Sequence, residues 1–247
     1  MIPLKSEKDL QMLSRSGKIL AGVMKRVRKF VRAGITTADI DRYSEELILK
    51  EKAIPAFKGY KGFPASVCVS VNDEIVHGIP GARVILDGDI VSIDLGVNYQ
   101  GYFSDAAVTL AIGRVQSDKK KLIEVTSQAL DIGIKQCCVG NNLSDISHSI
   151  QNFVEGRGFQ VVRQFVGHGI GQTLHEEPEI PNFGKPHLGP QLKSGMVLAI
   201  EPMVNMGSWE AQIAANGWTA VTCDGASSAH FEHTVAITDK GPVILTK

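Results

Sequence analysis

The sequence predicts an α+β fold made of two pseudo-symmetric halves. Three observations predict it. Helical apolar periodicity occurs twice in each half, at 7–31 and 37–52 and again at 117–137 and 144–156. Short β-rich runs follow each helix pair. The halves also align in their letters: "AGITTADI" (33–40) matches "VGNNLSDI" (139–146), and "GDIVSID" (88–94) matches "GMVLAIE" (195–201), at offsets of 106 and 107. Such units would share an antiparallel sheet under four helices, with a cleft where they meet. One catalytic domain over 1–247 is expected, with halves of about 1–113 and 114–247.

The first helix rests on Leu10, Leu13, Leu20, Val23, Val27, Phe30 and Val31, which recur at three- and four-residue steps after an N-cap at Ser6. Ala33-Gly34 ends it, and a second helix starts near Thr37 and runs to about Lys52. Strands are expected at 66–72, 89–96 and 105–113. In the second half they are expected at 160–167, 196–204 and 232–239.

Lys+Arg and Asp+Glu are both 26, so the formal charge is zero, and no global field draws the chain to nucleic acid or an anionic membrane. There is no apolar run of 18 residues and no charged-then-apolar leader. The four cysteines, Cys68, Cys137, Cys138 and Cys223, form no C-x-x-C. Reduced thiols in a cytoplasmic protein are expected.

The alignment pairs Asp94 with Glu201, each ending an apolar strand. A chain reversal at Tyr99-Gln100 would set Asp94 directly opposite Asp105, where like charges repel unless a cation lies between them. Glu232 opens the last apolar strand, with His230 on its face and His233 on the opposite one. With His168, inside the glycine-rich stretch "FVGHGIGQTLHEEPEIPNFG" (165–184), these four carboxylates form a hard, oxygen-rich set suited to two divalent ions. Strand-end carboxylates pointing into water are the other reading of the same residues. The H-E-x-x-H zinc signature is absent.

At these residues the chain resembles the type I methionine aminopeptidases in their short bacterial form. The matching segments are "VCVSVNDEIVHGIP" (67–80), "GDIVSIDLG…GYFSDAAVT", "GHGIGQTLHEEP", "LAIEPMV", "NGWT" (216–219) and "SAHFEHT" (228–234). The resemblance implies the pita-bread fold, in which a curved antiparallel sheet lies under four helices. It implies removal of initiator methionine from nascent chains, before a small second residue. It implies Asp94, Asp105, His168, Glu201 and Glu232 as ligands of two divalent ions (Co, Mn, Fe, Zn or Ni), with Asp105 and Glu232 bridging. By the same resemblance Glu201 shuttles the proton of the attacking water, His175 hydrogen-bonds the substrate near the scissile carbonyl, and His77 contacts it from the other side. Tyr60, Phe63, Cys68 and Trp218 would form the thioether pocket. Taken without the family, His77 reads as a turn histidine and the pocket set as ordinary core. Glu176 and Glu177 are expected to stand outside the chemistry.

Three positions depart from the family pattern: His230 where glutamine is usual, Leu174 where an aromatic often sits, and Lys61 where some relatives have histidine. They bear on pocket shape and metal preference. Two rival readings are an X-Pro peptidase of the same fold and a non-catalytic peptide-binding relative. The former normally carries a separate N-terminal domain, for which Asp94 comes too early; the latter loses ligands that this chain keeps. The partners expected are nascent N-termini, with transient ribosome contact through "KRVRK" (25–29) and "DKKK" (118–121), no nucleic-acid substrate, no membrane, and action as a monomer.

Overall fold

The computed structural model describes residues 2–247. Its four helices are α1 (Glu7–Phe30), α2 (Thr37–Lys50), α3 (Ser117–Lys135) and α4 (Leu143–Glu155). Ser6 caps α1: its hydroxyl accepts from Asp9 N and the Asp9 carboxylate accepts from Ser6 N, at 3.2 and 2.9 Å. The same acid stands three residues after the cap of α2 and of α4. Asp39 accepts from Thr36 N at 2.9 Å, and Asp145 from Asn142 N at 2.8 Å. α2 stops two residues before the expected Lys52, which takes a positive φ of 57° that no helix continues.

The repeat recurs in the backbone. Gly34 N donates to Ile85 O at 2.9 Å, and Gly140 N to Leu192 O at 3.1 Å. Thr37 N donates to Arg83 O, and Leu143 N to Pro190 O, both at 2.9 Å. Each bond in the second half lies 106 and 107 residues beyond its counterpart in the first.

Strand Ile90–Tyr99 is the centre of the first sheet. It pairs with Tyr102–Ala111 along one edge and with Val67–Val71 and Ile54–Pro55 along the other. Val91, Ile93 and Leu95 pack on Leu20, Val23 and Val27 of α1 and on Ile40 and Leu47 of α2. Burying each such side chain stabilises by about 1.5–3 kcal/mol. That decides the face, and strand alternation leaves Ser92, Asp94 and Gly96 on the far side. In the second half, Leu198 and Ile200 meet Leu122, Val125 and Ala129 of α3 and Ile146 and Ile150 of α4. Its five-stranded sheet runs Gly241–Ile244, His233–Thr238, Val197–Ile200, Gly167–Gly169, Glu176–Ile180 in space.

Four strand expectations are corrected. The hairpin turns at Gln100-Gly101, not Tyr99-Gln100, so Tyr99 pairs with Tyr102 and Asp94 with Ala107. Gln100 and Gly101 both take positive φ, 53° and 85°, as a type I′ turn requires. The expected strand 196–204 is two, Val197–Ile200 and Met203–Asn205, because Pro202 has no N–H for the ladder. The expected strand 160–167 shrinks to Gln160–Val161, after which the chain leaves one sheet for another at Gly167–Gly169. The last strand begins at His233, while Glu232 joins the two halves. Glu232 N donates to Ala107 O at 3.0 Å and Ala107 N to Glu232 O at 3.3 Å. Beside this pair, Thr234 Oγ1 accepts from Asp105 N and donates to Asp105 O at 2.9 and 2.8 Å.

Candidate metal and active site

The halves meet over a buried acidic cluster. Asp94 lies diagonal to Asp105 on one face of the hairpin, since its direct partner is Ala107. Asp105, His168 and Glu232 are buried, and each offers a donor atom within 4.8 Å of the others. Glu201 follows its strand at the Pro202 break, with Oε1 3.6 Å from His168 Nε2.

Such a set is costly without a cation. Asp94 Oδ1, Asp105 Oδ1 and Glu232 Oε1 are buried with no hydrogen-bond partner. Each bare oxygen costs about 1–3 kcal/mol, and more when charged. Burial, followed by repulsion from the neighbouring carboxylates, pushes Asp105, Glu201 and Glu232 well above the usual carboxylate range. Burial also raises Asp94. The His168 Nδ1–H donates to Gly169 O at 2.9 Å, which leaves Nε2 bare towards the carboxylates. Burial lowers its pKa to about 4, so the ring is neutral. Orphaned carboxylate oxygens around a neutral imidazole in the correct tautomer fit a divalent cation.

Local sequence explains the placement. A Cβ on Gly169 would strike the Glu177 carbonyl, and one on Gly167 would lie 2.5 Å from the Ala199 carbonyl oxygen. Glycine on both sides of His168 therefore lets its strand pass between its neighbours. In "NGWT", Asn216 Oδ1 accepts from Trp218 N at 3.0 Å and Thr219 N at 2.9 Å, and Gly217 takes φ 77°. The turn turns the Trp218 ring onto Phe63, centroids 5.2 Å apart, while the Thr219 hydroxyl donates to the His77 carbonyl at 3.3 Å.

A cleft of about 290 Å³ opens over the cluster. All eleven candidate residues line it: Asp94, Asp105, His168, Glu201, Glu232, His77, His175, Tyr60, Phe63, Cys68 and Trp218. Lys61 and Leu174, two of the departures, line it as well. His175 is exposed at the rim, its ring 4.1 Å from that of His168. Its Nδ1 is 2.9 Å from the Tyr60 hydroxyl. Partial burial of the imidazole, and then the neighbouring His168, Lys61 and His77, push its pKa down. His77 holds φ 58°, uncommon for a side-chain-bearing residue, with its ring edge-on to Phe165 at 5.5 Å.

The sequence reading missed Phe57, which lines the cleft and packs where a Cβ on Gly96 would stand. The apolar run after Ala53, ending in an aromatic just before Tyr60, was its only signal. Glu176 and Glu177 do not line the cleft. Glu176 instead holds the loop: its Oε1 accepts from Gln172 N and Thr173 N at 2.9 and 3.2 Å, and it pairs with Lys5. His230 stands behind the cleft, buried, with Nε2 3.7 Å from Glu201 Oε2 and no hydrogen-bond partner. His233 points away and meets the Thr246 hydroxyl at 2.8 Å.

Comparison with known proteins follows this geometry. Residues 11–239 match metallopeptidase family M24. A methionine aminopeptidase of Clostridium perfringens is 53% identical over 246 residues, covering 100% of this chain and 99% of its own. The crystal structure of methionine aminopeptidase from Thermotoga maritima superposes with a TM-score of 0.98 at 47% identity, covering 100% of both chains. An Xaa-Pro dipeptidase from Bacillus anthracis shares the fold at a TM-score of 0.79 and 20% identity, with 99% of this chain covering 62% of that one.

Proposed function

Because the chain belongs to metallopeptidase family M24, and within it to the methionine aminopeptidases, we propose that it hydrolyses the first peptide bond of polypeptides that begin with methionine. The observation that carries this reading is the acidic cluster with orphaned oxygens at the floor of a small apolar cleft. Asp94, Asp105, His168, Glu201 and Glu232 would hold two divalent ions. Bound there, such ions would acidify water and polarise the scissile carbonyl.

The chain's own groups supply the rest. Glu201, at the edge of the cluster, would take the proton from the attacking water and return it to the leaving amine. A Tyr60 O–H donated to His175 Nδ1 leaves the Nε2–H of a neutral imidazole free to hydrogen-bond the substrate carbonyl as charge builds on its oxygen. His77 would contact the substrate from the opposite wall. Tyr60, Phe63, Cys68 and Trp218 would enclose the methionine side chain, whose sulfur packs well at ring edges. A small second residue would fit best beside the rim at His175.

The whole chain would act as one catalytic unit, a reading supported by the contribution of both halves to the cluster, and as a monomer on nascent N-termini. Lys25, Arg26, Arg28 and Lys29 are exposed on α1 and give a cationic face for transient contact with the ribosome surface. Loss of ribosome co-sedimentation on reversing those four charges would support that contact, and unchanged sedimentation would remove it. Among the described residues, no helix is long and apolar enough to cross a membrane. The test of the activity is a pair of assays on metal-supplemented protein, with Met-Ala-Ser and with an X-Pro peptide. Release of methionine from the first alone is the expected result; cleavage of the X-Pro peptide alone would overturn the reading.

A further inference from the structure

The geometry points to Lys5 and Glu176 as positioning residues for His175, an ion pair that clamps the chain before α1 to the loop carrying that imidazole. The inference rests on the proposed role of His175 at the substrate carbonyl.

The pair joins residues 171 apart in sequence, with side chains only 8% and 11% exposed. Each end is anchored. Lys5 N donates to Gly195 O at 2.7 Å, which ties the lysine to the start of the Glu201 strand. Glu176 uses Oε2 for Lys5 and Oε1 for the amides of Gln172 and Thr173. One carboxylate thus gathers three donors around a tight loop whose last residue before Glu176 is His175. The Thr173 hydroxyl donates to His175 O at 3.1 Å and closes the loop from inside.

Gly171 gives an independent sign that the space is built for the pair. A Cβ there would strike the Lys5 ammonium and lie 2.6 Å from Glu176 Oε1. The exposed ring of His175 has little else to hold it: the Tyr60 hydroxyl, and stacking on Tyr60 and His168. Neither Lys5 nor Glu176 lines the cleft. Their effect on the reaction must therefore pass through the loop.

A group held for transition-state contact loses rate steeply when its support loosens. A shift of about 1 Å costs about 100-fold. Lys5→Met should lower kcat on Met-Ala-Ser by about 10- to 100-fold, with KM and metal affinity unchanged. Lys5→Arg should restore most of it. A phosphonic acid analogue of methionine, which mimics the tetrahedral carbon, should bind Lys5→Met more weakly, while the product L-methionine binds as before. In a His175→Ala background, Lys5→Met should cost no further kcat, because the group being positioned is gone. Should Lys5→Met fail to fold, Glu176→Gln, which keeps an acceptor for the two amides, takes its place in the cycle. The inference is overturned if the folded, metal-loaded variant turns over like wild type, or loses the same factor with and without His175. If His175→Ala alone leaves kcat intact, the role of His175 falls and the clamp falls with it. If His175→Ala is impaired and the clamp variants are not, the clamp alone falls.

Discussion

Asp94 and Glu201 are the same position in the two halves, 107 residues apart, yet their surroundings have diverged. The Asp94 strand runs on to Tyr99 and turns back to bring Asp105 to the same face. Cys68 pairs beside Asp94, and with it comes the apolar wall of Phe63 and Trp218. The Glu201 strand stops at Pro202, and its carboxylate lies between two imidazoles, His168 at 3.6 Å and His230 at 3.7 Å. A duplicated scaffold thus carries two different chemistries. The first half supplies Asp94, Asp105 and most of the apolar wall; the second supplies Glu201 and Glu232, sets two imidazoles beside Glu201, and lends Trp218 to the wall. Equivalent scaffold substitutions should have equal effects, and equivalent site substitutions unequal ones.

The largest expected difference is between the two strand ends themselves. Glu201→Gln should lower kcat on Met-Ala-Ser by about 10²–10⁴-fold, the usual contribution of a positioned acid–base, and added metal should not restore it. Asp94→Asn should mainly weaken metal binding, so that much of its turnover returns at high metal. Steady-state kinetics across a metal titration separates the two. Equal rescue of both variants would erase the proposed division of labour.

A pH effect follows from the cluster. Burial raises its carboxylates in the metal-free folded state, Asp94 to about 7. Between the unfolded value near 3.8 and about 7, Asp94 holds more protons in the folded chain than in the unfolded one. Burial lowers His168, His175 and His230, so below the ordinary histidine value of 6.5 they pull the other way. Above it they are neutral in both states, and stability falls as pH rises through the carboxylate cluster. Chelator-treated protein should therefore lose Tm as pH rises from about 6.5, and a divalent ion should reverse the loss because it replaces the protons. Calorimetric scans with and without metal check this; a metal-free Tm that rises with pH above that value would contradict the buried-cluster account.

His230 tests the second-half side of the comparison. Its unpartnered Nε2 faces Glu201, so His230→Ala should lower metal affinity or activity by about 10- to 100-fold, as losses behind a metal ligand do. His230→Gln should recover part of this. Metal affinity by equilibrium dialysis is the measurement. The smallest effect concerns the scaffold. Asp39→Ala and Asp145→Ala remove the matching acids of two capping boxes and should lower the denaturant midpoint by similar small amounts. Clearly unequal costs would mean the halves differ in their frame as well as in their site.

Local chemistry was legible in the letters, and long-range geometry much less so. The N-cap at Ser6 and the helix start near Thr37 were readable from local letters, and the constant offset between halves survives into equivalent backbone bonds. Strand alternation puts Asp94 and Asp105 on one face of their hairpin, whereas Glu201 and Glu232 lie just outside strands and join them, with His168, only where the halves meet. The hairpin register was misjudged because strand propensity alone does not locate a turn; the need for positive φ at Gln100-Gly101 does. The change of sheet between Val161 and Gly167 depends on which strand neighbours are available, which no local pattern carries. The partnership of Lys5 with Glu176 spans 171 residues, a separation that no local pattern reveals.

The most direct test of the account is calorimetric titration of metal-free protein with Mn²⁺ or Co²⁺ in two buffers of different ionisation heat, with Met-Ala-Ser turnover followed on the same samples. The expected result is no turnover before metal, two ions bound per chain, release of protons from the carboxylate cluster, and loss of both binding and turnover in Asp105→Ala. Undiminished methionine release by the metal-free protein, or wild-type metal binding by Asp105→Ala, would contradict it.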